Sequence, residues 1–218
     1  MMERYGFAHL HGFASSAQSR KGLLLAEAFA ARGVWLQLPD LNRPSFARQT
    51  YSDALKVMDE LDADLPEGVR WRLSGSSMGG YLAARWAELH PDRVDRLALL
   101  CPGFNLGKRW PDLVGRDRFA QWEREGTLLF SDATGKEVPV HWGLIEDFSR
   151  HPACPDVCCP TLIIHGIRDE VVPIETSRTY AADRPGLVKL IPVDDNHYLM
   201  QSLNRIQEEI LDFFELKA

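Results

Sequence analysis

The sequence predicts an α/β fold built on a mostly parallel sheet, and two observations carry that prediction. Short apolar runs rich in β-branched and aromatic residues alternate along the chain with longer stretches of helical period. Turn-forming residues close each run, as expected where strands are joined through crossover helices that cover both faces of a sheet.

The elements follow in order. Residues 4–10, RYGFAHL, read as a first strand closed by the turn HGF. SRKGLLLAEAFAARG places leucine and alanine at helical spacing and stops at Gly33, the residue type that commonly follows a helix end. GVWLQL, residues 33–38, is the second strand, closed by PDLNRP. SFARQTYSDALKVMDELDADLPEG reads as a helix, VRWRLSG as the third strand, and SMGGYLAARWAELHPDR as a helix stopping before Pro91. VDRLALLCPG, PTLIIHG and GLVKLIPV supply strands four, five and six, with VPIETSRTYAADR and LMQSLNRIQEEILDFFELKA as helices around the last two.

One stretch departs from the rhythm. Between the fourth and fifth strands, residues 104–151 are expected to hold a helix, a hairpin turning at residues 133–135 and another short helix. The chain therefore reads as a single domain, 1–218, with a lid-like insertion overhanging the strand ends where α/β sheets bind ligands. Aromatic residues crowd this insertion. Phe104, Trp110 and Trp142 are the candidate substrate contacts among them, and two readings stay open: an apolar acyl site, or rings that attach the insertion to the domain.

Composition narrows the function. With 218 residues, 45% of them hydrophobic, the chain can bury one substantial core. A formal net charge of −6 and an estimated pI of about 5.6 leave no long basic surface, so nucleic acid is not an expected partner. No run approaches the ~20 apolar residues that span a bilayer, and the N-terminus lacks the pattern of a secretory signal. A soluble, cytoplasmic protein is the expectation. The four cysteines show no CxxC pair or matching histidine spacing, which points to buried free thiols and no metal.

The chemistry concentrates in three places, each just after a predicted strand. Gly75, Ser76, Ser77, Met78 and Gly79 form G-x-S-x-G between a strand and a helix, a context in which the central serine is held in a tight turn and crowding demands glycine two residues either side. Ser77 needs a base to take its proton as it attacks a carbonyl. His197, after the last strand, is placed for that role, since imidazole titrates near neutral pH. Asp169, after the fifth strand, is the acid that would orient the imidazole, and the turn after the fourth strand, CPGFN, offers no carboxylate. The backbone N–H groups of Met78 and Phe13 are the expected oxyanion donors, one following the nucleophile and one following the HG turn. Beside them, Ser15, Ser16, Ser19, Arg20 and Lys21 read mainly as a serine-capped helix start with solvated charges.

HGF, GSSMGG, HGIRDEVVP and DNHYL resemble the α/β-hydrolase superfamily across nearly the whole chain. HGFASSAQSRKG is similar to the opening of small bacterial esterases that lack a large cap. KEVPVHWGLIEDFSRHP followed by CPTLIIHGIRDEVVP resembles the acyl-glucuronide esterase and acyl-protein thioesterase (depalmitoylase) family. Fuller superfamily members begin with an extra hairpin, for which the HG turn at residue 11 leaves no room. The resemblance thus implies a minimal six-stranded parallel sheet in the order 2-1-3-4-5-6. It also implies a serine hydrolase that cleaves a small-molecule acyl ester or thioester through an acyl-enzyme, with no cofactor. A non-catalytic binding protein, a peptidase and a carbon–carbon hydrolase are the alternatives on the same fold.

Overall fold

The computed structural model describes residues 5–216, and within them the alternation read from the sequence becomes seven strands and eight α-helices. Arg4 of the first expected strand, and Lys217 and Ala218 of the last expected helix, lie outside the described residues. The strands are β1 (Tyr5–Leu10), β2 (Arg70–Ser76), β3 (Val94–Leu100), β4 (Thr127–Ser131), β5 (Glu137–His141), β6 (Thr161–Gly166) and β7 (Val188–Val193). The helices are α1 (Arg20–Ala30), α2 (Tyr51–Ala63), α3 (Met78–Leu89), α4 (Leu106–Val114), α5 (Arg116–Glu125), α6 (Gly143–Phe148), α7 (Ile174–Ala182) and α8 (Leu203–Phe213).

Five strands form the parallel sheet, in the order β1-β2-β3-β6-β7. The expected count of six is corrected here. Residues 33–38 do lie beside β1, on the predicted side, but pair only at Gln37, whose N–H donates to Phe7 O and whose carbonyl accepts from His9 N–H, both at 2.9 Å. The next donor on that side of a parallel ladder would be residue 39, which is Pro39 and has no N–H. The pairing stops where proline begins. At the opposite margin β7 carries Lys189 and Pro192, both exposed.

Side-chain parity builds a core on each face. Leu97 and Leu99 of β3 and Ile163 of β6 pack on one side with Tyr51 and Met58 of α2 and Tyr81 and Trp86 of α3. Ala98, Leu100, Leu162 and Ile164 pack on the other with Leu25 and Phe29 of α1 and Ile206 and Ile210 of α8. Both faces are covered, which is why these strands read as continuous apolar runs. Burying each such Leu or Ile contributes roughly 1.5–3 kcal/mol, so a charged residue at Leu99 would break the fold.

Ser19 caps α1 by accepting the Gly22 N–H at 3.2 Å, and Thr50 caps α2 by accepting the Asp53 N–H at 3.0 Å. The segment expected to be one helix before β2 opens instead with a short 3-10 turn, Phe46–Arg48, and becomes α-helical only after the Thr50 cap. Cys101 and Cys159 are buried and all four thiols are free, but Cys158 is exposed, unlike the expectation. Among the described residues, no helix is long and apolar enough to cross a membrane.

The segment 104–151 holds α4, α5, the β4–β5 hairpin and α6. One expected helix becomes two because Gly115 adopts φ 90° between α4 and α5. Asp132 accepts the N–H groups of Thr134 and Lys136 to close the hairpin turn. Trp122 is fully buried, donates to Val140 O at 2.8 Å and sits among Trp110, Phe130 and Trp142. A polar clasp fastens α6 to α2: Asp147 accepts from the Ser52 N–H at 2.8 Å and the Ser52 hydroxyl at 2.7 Å, while His151 Nε2 lies 3.2 Å from that hydroxyl.

Candidate active site

All five strands run the same way, so the turns after β1, β2, β3, β6 and β7 gather at one rim. The turn after β2 presents Ser77. Its backbone has φ 55° and ψ −118°, far from the helix it starts, and its N–H donates to Leu100 O at 2.9 Å. Such a conformation costs energy and persists only where its surroundings enforce it. The enforcement is visible in two glycines. A Cβ at Gly75 would lie 2.3 Å from Gly79 O, and one at Gly79 would lie 2.1 Å from Leu10 O. The G-x-S-x-G spacing thus records close approach of backbone to backbone.

Ser77, His197 and Asp169 meet in series. His197 Nε2 lies 2.9 Å from Ser77 Oγ, and His197 Nδ1 lies 2.6 Å from Asp169 Oδ2. With a carboxylate on the Nδ1 side, that nitrogen carries the proton and Nε2 is left to accept from the serine hydroxyl. Ser77 and His197 are half-buried and Asp169 is buried.

Asp169 is held by more than its histidine. Oδ1 accepts the N–H groups of Val171 and Val172 at 2.9 and 2.8 Å, and Oδ2 also lies 3.2 Å from Nε2 of the fully buried His165. Burial alone would raise its pKa. Hydrogen bonds from His165 and His197, and the Val172 N–H, outweigh that and hold the carboxyl below the usual carboxylate range. His165 is fixed in turn: Nε2 faces Val172 O at 2.8 Å and so carries the proton, leaving Nδ1 to accept from Ser177 Oγ at 2.8 Å.

The His197 loop has its own anchor, which the sequence did not reveal. Asp195 is buried, and its carboxylate accepts the N–H groups of Asn196, Gln201 and Ser202 at 2.8, 2.8 and 2.9 Å. It gathers the loop that carries His197 onto the start of α8. Its carbonyl accepts the Arg168 N–H at 3.0 Å, so the loops bearing acid and base are tied together. Gly166 permits that approach, since a Cβ there would lie 2.5 Å from Asp195 O. Nothing but the apposition of two loops from distant parts of the chain distinguishes Asp195 from an ordinary turn aspartate.

His11, after β1, accepts the Leu41 N–H at Nε2 (3.0 Å) and donates from Nδ1 to Gly12 O (2.9 Å). Burial lowers its pKa, so it stays neutral and fixes the loop bearing Phe13. Gly12 packs so near Ser77 that a Cβ on it would lie 3.3 Å from the serine Cβ. Met78 opens α3 directly after Ser77, and as the first helical residue its N–H has no intrahelical acceptor. Cys101 Sγ, Asp169 and His197 could approach one metal ion, with ligand atoms within 4.8 Å of one another. The donor set does not fit one: burial, reinforced by Asp169, keeps the thiol neutral, and both Asp169 oxygens are engaged.

A cavity of about 330 Å³ opens beside Ser77 and His197, lined also by Phe13, Ser15, Ser19, Arg20 and Lys21. Phe104, Trp110 and Trp142 are not among its lining. Phe104 is fully buried against Tyr180, Trp142 packs on Phe119 and Trp122, and Trp110 reaches the site only through the Phe13 ring, 5.3 Å between centroids. Ser19 caps α1 as the sequence suggested, yet it and Arg20 also face the cavity.

Comparison with known proteins gives a consistent result. The model of an uncharacterised protein family, UPF0227, matches residues 7–215. Pimeloyl-acyl-carrier protein methyl ester esterase of Chromobacterium violaceum is 28% identical over 168 residues, covering 62% of this chain and 65% of its own length, just under two thirds. Among solved structures, alpha/beta hydrolase domain-containing protein 10 from mouse matches with TM-score 0.75 and 21% identity over 96% of this chain and 89% of that one. Est1E from Butyrivibrio proteoclasticus matches with TM-score 0.77 and 19% identity over 98% and 89%. The fold is that of the α/β-hydrolases.

Proposed function

Because the chain belongs to the uncharacterised protein family UPF0227, its function has to be read from its own site, and we propose that it is a serine hydrolase of carboxylic esters or thioesters. The observation that carries this reading is the unbroken series from Ser77 Oγ through His197 to Asp169, at 2.9 and 2.6 Å. The name of the C. violaceum relative, an ester-cleaving enzyme, supports the substrate class.

In the proposed mechanism Ser77 Oγ attacks the carbonyl carbon while its proton passes to His197 Nε2. Asp169 keeps the imidazole oriented and stabilises the imidazolium that forms. The developing oxyanion is assigned to the backbone N–H groups of Phe13 and Met78. Collapse of the tetrahedral intermediate expels the alcohol or thiol, which takes the proton from His197, and leaves an acyl group on Ser77. Water, deprotonated by the same imidazole, then attacks the acyl-enzyme and releases the acid. Every proton and electron pair in this cycle is carried by the chain, the substrate or water.

Residues 104–151 enter the proposal as a cover over the site. Supporting this, Trp110 of α4 packs on the Phe13 ring, and Arg109 donates to Val171 O at 2.7 Å and Glu170 O at 3.1 Å, next to Asp169. The decisive experiment is labelling with a fluorophosphonate probe. Expected is one covalent adduct on Ser77, absent in Ser77→Ala; a folded protein that takes no label at Ser77 overturns the reading. A hydrolysis screen with matched esters and thioesters of increasing acyl length then fixes the substrate.

A further inference from the structure

The charge of the cavity beside Ser77 opposes that of the protein around it. The chain carries 31 acidic residues against 25 basic ones, yet no Asp or Glu lines this cavity, while Arg20 and Lys21 do. Lys21 is partly spent: its ammonium donates to Tyr198 O at 3.1 Å, holding the loop next to His197. Arg20 is exposed and, among the described residues, its guanidinium has no carboxylate, carbonyl or aromatic partner. Some exposed arginines pair with carboxylates, as Arg168 and Arg178 do with Asp194 and Glu175 at 2.7 Å, and others, such as Arg43 and Arg118, stand in solvent as Arg20 does; what sets Arg20 apart is that it lines the cavity beside Ser77. The remaining walls supply the Ser15 and Ser19 hydroxyls and apolar surface from Phe13, Tyr198 and Met200.

We infer that Arg20 is a specificity-determining residue that binds an anionic group on the substrate, a carboxylate or a phosphate, while the ester or thioester carbonyl lies at Ser77. The inference rests on the serine-hydrolase proposal and names the substrate class that site takes. A guanidinium presents a planar fork of donors that matches either anion in bidentate fashion. The cavity's 330 Å³ has room for about ten water-sized groups, enough for a short apolar chain between the reacting carbonyl and the anion. A neutral ester fills the same walls and leaves Arg20 in water. An anionic ester gains the pairing as well, so discrimination is read in kcat/KM between the two.

The test uses three substrates of matched chain length, across a series of four to eight carbons: the methyl hemi-ester of a diacid, an ester ending in a phosphate, and the methyl ester of the neutral monoacid. The wild-type protein is expected to prefer an anionic member, and the stronger of the two anionic arms identifies the group. Arg20→Ala should lower the anionic-to-neutral ratio of kcat/KM about ten-fold, chiefly through KM, the size of one charge-assisted pairing at a partly solvated site. Arg20→Lys should fall between, keeping charge but losing the fork, and Arg20→Glu should fall furthest. A Ser77-labelled wild type that shows no anionic preference, or that hydrolyses none of the three, overturns the inference alone. So does a ratio that stays fixed in Arg20→Ala and Arg20→Glu. Absence of labelling at Ser77 overturns the serine-hydrolase proposal, and this inference with it.

Discussion

Ser77, His197 and Asp169 share their residue types with Ser52, His151 and Asp147, but the hydrogen bonds run differently. At the rim they form a line, hydroxyl to imidazole to carboxylate, with the carboxylate contacting the imidazole and not the serine. In the clasp between α2 and α6 the serine is the hub: its hydroxyl donates to Asp147 at 2.7 Å and faces His151 at 3.2 Å, and its N–H donates to the same carboxylate. Ser52 lies within the first turn of α2, whereas Ser77 is held at φ 55° ahead of α3. A hydroxyl already committed to a carboxylate does not pass its proton to an imidazole. Connectivity and backbone placement, not residue inventory, separate the series proposed for catalysis from a fastening.

Exchanging the two serines probes this contrast most sharply. Ser77→Ala is expected to lower kcat on any ester by on the order of 10⁴- to 10⁶-fold with little change in thermal midpoint. Ser52→Ala should do the reverse, keeping turnover near the wild-type rate while costing about 1–3 kcal/mol by leaving Asp147 short of partners, read as a lowered thermal midpoint. If Ser52→Ala abolished turnover in a folded protein, the contrast would collapse. Asp169→Asn comes next, with an expected loss of about 10³- to 10⁴-fold in kcat through the wrong tautomer of His197 and an unchanged far-UV spectrum. Asp195→Ala should lower kcat about 10- to 100-fold by loosening the His197 loop, and Asp195→Asn should recover part of it.

The smallest effect is in pH. Burial lowers the pKa of His151 from its ordinary 6.5, and the Asp147 charge only partly offsets this. A depressed folded value means stability is whole above pH 6.5 and declines as pH falls through that point, because the unfolded chain binds the proton first. Asp169 is also depressed, from an ordinary 3.8, so its contribution persists through that window and fades only in stronger acid. Urea midpoints between pH 7 and 5 should therefore fall less in His151→Gln than in wild type, while Asp169→Asn should alter the dependence only below about pH 4.

Much of this was legible in the residues because local chemistry encodes it. Continuous apolar runs marked the doubly covered strands, and the glycines at 75 and 79 marked a turn that Cβ atoms would prevent. What escaped was decided by apposition. Pro39 reads as a turn residue, and only beside β1 does its missing N–H end a strand. Asp195 reads as an ordinary turn aspartate, and only in the fold does its carboxylate gather the N–H groups of Asn196, Gln201 and Ser202 and shape the loop that carries His197. His165 reads as a strand-end turn but backs Asp169 from inside the core. Trp110 and Trp142 showed an aromatic cluster without showing which way it faced, and the rings pack on one another and on Phe13.

The two margins of the sheet differ from a bare strand edge. A strand at an open edge presents a row of backbone donors and acceptors that another chain can extend, the common route to edge-to-edge aggregation. Here Pro192, with the exposed Lys189 on the same strand, interrupts the outward row on the β7 side, while on the β1 side residues 33–38 lie against the strand and pair with it at Gln37. The β7 flank therefore offers no uninterrupted template for a further strand, and the β1 flank is partly covered by the chain itself.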